Sequence, residues 1–171
     1  MKKSLPLEVY KGTKIIYADT LVDNGYKIKG TQKTLEVIKL SETSQEKSDI
    51  AIYSKDDDFL YVGNIVFTQR LVSYKESSDI DAWIEAIHNL VKIDAKCLFT
   101  GHGNEYDKNS YKVTLEYLQI LRDNGRKAYE NDVDILDLES HVNTQKFNYL
   151  EHFEISNRVN IKNYYNQLLW E

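Results

Sequence analysis

Leu98-Phe99-Thr100-Gly101-His102-Gly103 is the stretch on which the fold turns. The run Ala95 to Phe99 has the length and apolar character of a short buried strand. It ends on a glycine–histidine–glycine loop. Such an ending puts an imidazole at the carboxyl edge of a sheet, on a backbone that can approach a ligand closely. By itself the tripeptide is more often a turn than a metal site, so its surroundings decide what it is.

Immediately upstream, Ile80, Trp83, Ile84, Ile87, Leu90 and Val91 recur at helical spacing, with Ser78 or Asp79 as N-cap. Before that helix come β-rich runs. Leu35 to Leu40 reads as a strand with its apolar face at 35, 37 and 40. Ser41 to Ser48 is a polar loop. Ile50 to Ser54 and Phe59 to Val62 form a hairpin across Asp56-Asp57-Asp58. Gly63-Asn64 interrupts the second run, and Ile65-Val66-Phe67 follows. Residues 1–12 read as an arm and Lys14 to Tyr17 as a strand. Asp23-Asn24-Gly25 is a turn across which Tyr26 to Ile28 could pair back. Downstream, a helix starts near Asn109 and carries Val113, Tyr117, Leu118 and Leu121. The tail from Lys146 is expected to be helical, with Tyr164, Leu168 and Leu169 facing the body. Pro6 is the only proline, so nothing breaks the interior elements. The order predicts an α/β (α+β) domain, mostly β sheet covered by helices on one face.

The 171-residue chain carries a formal net charge of -5. With no basic stripe it is not expected to bind nucleic acid or an anionic membrane surface. No apolar run reaches a membrane span or a signal-peptide core. The chain as written is therefore expected in the cytoplasm, whereas a true start further upstream would allow the periplasm. Cys97 is the single cysteine, which excludes an internal disulfide and a cysteine zinc cage. It is expected to be buried as a small hydrophobe. The 13 tyrosines are mostly expected half-buried, ring packed and hydroxyl wet.

In order along the chain stand Ser44-Gln45-Glu46-Lys47-Ser48-Asp49, then Gly63-Asn64-Ile65-Val66-Phe67, then Trp83 in its helix, then Gly101-His102-Gly103. This succession resembles the metallo-β-lactamase-fold metallo-hydrolases, from about Lys14 to about Leu138. There a His-Thr-x-Gly-Asp loop precedes a strand. A Gly-Asp-apolar-apolar-Phe segment follows, then a helix often bearing tryptophan, and then Gly-His-Gly. The closing Arg158-Val159-Asn160-Ile161-Lys162-Asn163-Tyr164-Tyr165 is similar to C-terminal helices of the members linked to sulfur oxidation and quinoprotein maturation, which are often exported. The resemblance implies the C-terminal half of an αββα sandwich: a single truncated domain over 1–171, with an arm at 1–12, a family-like core at 13–138 and a helical tail at 139–171.

It also implies where metal ligands should stand. The family holds two zinc ions with five histidines and two aspartates, four of them in a His-x-His-x-Asp-His motif that this chain lacks. The next histidine falls on Gln45 and the bridging aspartate on Asn64. Only His102 survives, as a vestigial ligand, and Asp49 matches a supporting residue. Neutral amides cannot replace the charge that holds two dications together. Without a metal nothing lowers the pKa of a water toward neutrality. No cofactor is thus expected from this chain alone, and zinc only if another chain completes the site.

The remaining candidates carry bland readings. His88 is expected on a helix surface, and His141 and His152 as surface histidines without partners at ligand spacing. Asp56-Asp57-Asp58 lacks the spacing of a calcium loop and reads as a solvated turn. No serine, cysteine or threonine lies in a nucleophile motif. Two expectations for function follow. One is a catalytically inactive pseudoenzyme or relic with a degenerate zinc site. The other is one half of a split zinc-dependent hydrolase that needs a partner chain. Both leave a sheet face bare, lined by several of residues 35, 37, 50, 52, 60, 62, 65 and 67. A bare apolar face predicts a homo-oligomer or a partner chain.

Overall fold

The computed structural model describes residues 11–45, 49–104 and 106–170. Most of the expected arm, and part of the loop before Asp49, lie outside them. Five strands form one mixed sheet in sequence order: β1 (Lys27–Lys29), β2 (Thr34–Lys39), β3 (Ile50–Ser54), β4 (Phe59–Phe67) and β5 (Cys97–His102). The first four run antiparallel. β5 runs parallel to β4, because the chain crosses over through helix α1 (Ile80–Val91) before returning. Then follow α2 (Tyr111–Glu130), α3 (Leu138–Val142), a 3-10 turn at Gln145–Phe147, and α4 (Phe153–Leu168).

The helix expected from the Ile80–Val91 periodicity starts as read: Asp79 is its cap and accepts from the Ala82 amide. Its apolar stripe plugs onto the sheet, with Trp83 and Ile87 fully buried and the Trp83 indole N–H donating to the Ile65 carbonyl at 2.8 Å. Val91, expected on that stripe, is 44% exposed, since the helix ends there and the core has already turned away. Likewise Leu168 is buried while Leu169 is exposed, one residue past the end of α4.

Other expectations are corrected. Lys14 to Tyr17 is not a strand: it has no ladder partner and Ile15, Ile16 and Tyr17 are exposed. Tyr26 to Ile28 therefore does not pair backward; β1 pairs forward with β2, Ile28 against Leu35. Gly63-Asn64 does not end a strand. Gly63 takes a left-handed φ of 52° and the ladder shifts register around it, so β4 continues through a bulge, as glycine permits. The strand expected at 95–99 lies at Cys97–His102, and Cys97 is only partly buried.

Register explains that last point. Tyr53, Leu60 and Leu98 lie side by side and face the helices. Their neighbours Val37, Ile52, Tyr61 and Phe99 form a row on the opposite face. Cys97 stands opposite Phe59, on the face of that second row. Of the residues expected on a bare face, 35, 37, 50 and 52 lie on that side by register, but Val37 is only 2% exposed. Leu60, Val62, Ile65 and Phe67 instead belong to the covered core. Helices fill that face because α1 and α2 pack on β4, while α3 and α4 pack on α2. The opposite face keeps apolar groups in solvent: Ile28, Ile50, Tyr61 and Phe99 are each more than one third exposed.

The tyrosines divide more sharply than expected. Tyr74, Tyr117, Tyr164 and Tyr165 are buried, and several satisfy their hydroxyls inside the protein. Tyr117 donates to Asn157 and receives from Asn160, and Tyr165 donates to the Val133 carbonyl. Burial pushes the Tyr117 hydroxyl far above the ordinary tyrosine range, and burial does the same to Tyr74. In the unfolded chain a tyrosine ionises near ~10. Both groups thus contribute their full stability below that pH, and the contribution falls as pH rises above it, since only the unfolded chain releases the proton. We expect the urea midpoint to hold to about pH 9.5 and then drop. A midpoint unchanged to pH 11, followed by circular dichroism, would contradict this.

Candidate functional site

The site stands where β4 and β5 end together. The strand that carries Asn64 bulges at Gly63, and β5 delivers Gly101-His102-Gly103 beside it. The approach is close. A Cβ at Gly101 would stand 2.8 Å from Asn64 Oδ1, and one at Gly103 would stand 2.0 Å from Thr68 Oγ1. Glycine at both positions is what lets the two strand ends meet. Thr68 ties them further, donating from its amide and its hydroxyl to the His102 carbonyl.

Gln45 reaches the same corner from the loop after β2. It is 2% exposed, held by a clamp that sequence reading did not anticipate. The Ser78 hydroxyl donates to the Gln45 carbonyl at 2.9 Å. The Asp79 amide donates to the Ser44 carbonyl at 2.9 Å. The Ser44 hydroxyl in turn donates to Asp49 at 2.6 Å. The residues that cap α1 therefore also fix the loop. At the centre, Asn64 Nδ2 donates to Gln45 Oε1 at 3.2 Å, and Gln45 Nε2 donates to the Ser73 carbonyl at 3.4 Å. One hydrogen bond joins the two carboxamides, and the second Gln45 group is taken by the Ser73 carbonyl.

His102 stacks on the Phe67 ring, centroids 4.8 Å apart. Its Nδ1 lies 3.5 Å from a terminal nitrogen of Arg70. Guanidinium can only donate, so Nδ1 is the acceptor and the ring proton sits on Nε2. Burial, and then the Arg70 charge beside it, hold the imidazole below the ordinary histidine range, so it is neutral at pH 7. The structure thus brings Gln45, Asn64 and the Gly101–His102 strand end together, with Asp49 behind Ser44. Sequence reasoning missed Arg70, and no local sequence pattern marks it; in the structure it follows Gln69, whose φ is 63°. His88, His141 and His152 are exposed and take no part.

The same arrangement of sheet and helices occurs in known structures. The metallo-β-lactamase from Pontibacter korlensis superposes with a TM-score of 0.54 at 20% identity, over 66% of this chain and 54% of that one. Metallo-β-lactamase IND-7 gives 0.55 at 16%, over 66% and 53%. DIM-1 metallo-β-lactamase gives 0.52 at 20%, over 66% and 53%. This chain carries part of the metallo-β-lactamase fold. It spans about half the length of the structures it matches. Neither a protein-family model nor a curated protein sequence matches it. No helix among the described residues is long and apolar enough to cross a membrane.

A metallo-β-lactamase fold raises the question of whether the described residues at this corner fit zinc. Among the described residues no three His, Cys, Asp or Glu side chains come together. The amides at 45 and 64 are engaged with each other, and the His102 Nδ1 lone pair points at a cation. A dication placed beside Arg70 would meet like charge where it needs anionic donors. These residues do not fit a zinc pair.

Proposed function

We propose that this chain is a metallo-β-lactamase-fold protein with a degenerate zinc site that does not hydrolyse substrates by itself. The observation that carries the reading is the Asn64–Gln45 carboxamide pair at 3.2 Å. It stands at the positions where the resemblance calls for a bridging aspartate and a histidine. Two neutral amides supply no negative charge, and one imidazole does not hold a metal. Without a metal-bound water no hydroxide forms at neutral pH.

A second reading, one half of a split hydrolase, draws support from the open sheet face. Ile28 is 45%, Tyr61 46% and Phe99 37% exposed, and about half of each matched structure has no counterpart here. Apolar surface of this kind marks an interface, so the chain is proposed to associate with itself or with a partner chain that covers the face.

One experiment addresses both readings: size-exclusion chromatography with zinc analysis of each fraction, on the natural chain and on a Gln45→His, Asn64→Asp double variant. The expected result is no retained zinc in the natural chain, uptake in the variant, and elution above the 20.0 kDa monomer. Stoichiometric zinc in the natural chain overturns the degenerate-site reading. A clean monomer that binds no hydrophobic dye overturns the interface.

A further inference from the structure

A cleft of about 400 Å³ lies between α4 and the segment that enters α3. Gln45, Asn64 and His102 do not line it. Its floor is the buried pair Leu138 and Ile161, and Ile135 and Leu136 wall it from the solvent side. Leu136 is 89% exposed, an apolar group held in water rather than packed. The backbone holds it there. Asp134 Oδ1 accepts from the Leu136 amide at 2.8 Å, and the Asp134 carbonyl accepts from the Asp137 amide at 2.9 Å. The Tyr165 hydroxyl, donating to the Val133 carbonyl, ties the same segment to α4. The cleft is therefore formed before any ligand arrives. Ile155 and Val159, both exposed, share a face of α4 with Lys162 by helical spacing, and they carry the apolar surface along the helix.

Three charged side chains border the cleft: Glu139, Arg158 and Lys162. Arg158 Nε stands 2.6 Å from Glu139 Oε1, so those two cancel. Lys162 pairs with no carboxylate among the described residues. One free cation thus stands at an apolar cleft, on a chain whose formal net charge is -5. The volume falls in the range of small-ligand sites, roughly 300–1,000 Å³, which are mostly apolar with a few polar groups that fix orientation. An anionic bilayer fits less well, because one lysine offers little against the repulsion of an acidic chain. We propose that this cleft binds a linear carboxylate amphiphile, fatty-acid-like in chemistry, with its tail against Leu136, Ile161 and Val159 and its carboxylate at Lys162 Nζ.

The test titrates the full chain with dodecanoate below its micelle concentration, followed by amide NMR. Saturable shifts at residues 135–139 and 158–162 are expected at submillimolar ligand. Octanoate should bind about tenfold more weakly, as half burial of the four missing methylenes implies. Dodecyltrimethylammonium has the same tail and the opposite head charge, and should also bind about tenfold more weakly. Lys162→Gln should weaken dodecanoate about threefold to fivefold, the scale of a solvent-exposed ion pair, and Lys162→Arg should restore it. Leu136→Asp should abolish saturation while leaving the circular dichroism unchanged, since the side chain it replaces is not packed. Shifts confined to Ile28, Tyr61 and Phe99 would place the ligand on the open sheet face and overturn the proposal. Equal affinity for the cationic amphiphile, or undiminished binding in Lys162→Gln, overturns it as well. Co-sedimentation with phosphatidylglycerol vesicles, without saturable dodecanoate shifts at the cleft, would overturn it in favour of a lipid surface.

Discussion

Replacing Trp83 with alanine should lower the free energy of unfolding by about 3–5 kcal/mol. Trp83 is 0% exposed and sits between the Phe67 and Tyr74 rings, with centroids at 6.4 and 6.5 Å. Truncation opens a cavity that a sheet on one side and α2 on the other cannot readily collapse into. It also strips the Ile65 carbonyl of its indole donor, and a buried acceptor left unpaired adds to the cost. Urea unfolding monitored by circular dichroism measures the loss. A change below about 2 kcal/mol would mean that the helix–sheet seam is looser than this packing implies.

The second large effect is expected at Asn160, 1% exposed on α4. Its Oδ1 accepts from the Tyr74 amide at 2.8 Å. Its Nδ2 donates to the Val72 carbonyl at 2.8 Å and to the Tyr117 hydroxyl at 3.0 Å. One side chain thus satisfies two main-chain groups of a segment 86 and 88 residues earlier in the chain. Asn160→Ala leaves both buried and unpaired, each at roughly 1–3 kcal/mol, so a total of about 4 kcal/mol is expected. Hydrogen exchange should show the Tyr74 amide losing protection in the variant. Retained protection there would mean that another group, or water, takes over the bond.

Those two residues mark what could and could not be read from the chain. Trp83 was legible because it belongs to a stripe at helical spacing. Asn160 was not, because α4 buries Asn157 and Asn160 among its apolar residues, and a polar residue at a core position looks like surface until its partners are known. The candidate site divides in the same way. His102, Gln45, Asn64 and Asp49 were named from their order along the chain, by resemblance to a family pattern. Arg70 was not, since nothing in Thr68-Gln69-Arg70 says that its guanidinium will fold back onto an imidazole from the neighbouring strand.

Local spacing and turn chemistry, read from the residues alone, determined the β3–β4 hairpin, the start and inner stripe of α1 and the strand ending on Gly101-His102-Gly103. Such features depend on neighbours a few positions apart, and the backbone periodicity converts them directly into faces. Tertiary structure alone decided which side of the sheet the helices cover, that Lys14 to Tyr17 stays unpaired, that two amides meet beside Gly101 and that a guanidinium folds against His102. Those outcomes depend on pairing register and on groups tens of residues apart. A one-residue shift in register would exchange the two faces, and the order of residues along the chain carries no record of which groups the sheet will bring side by side.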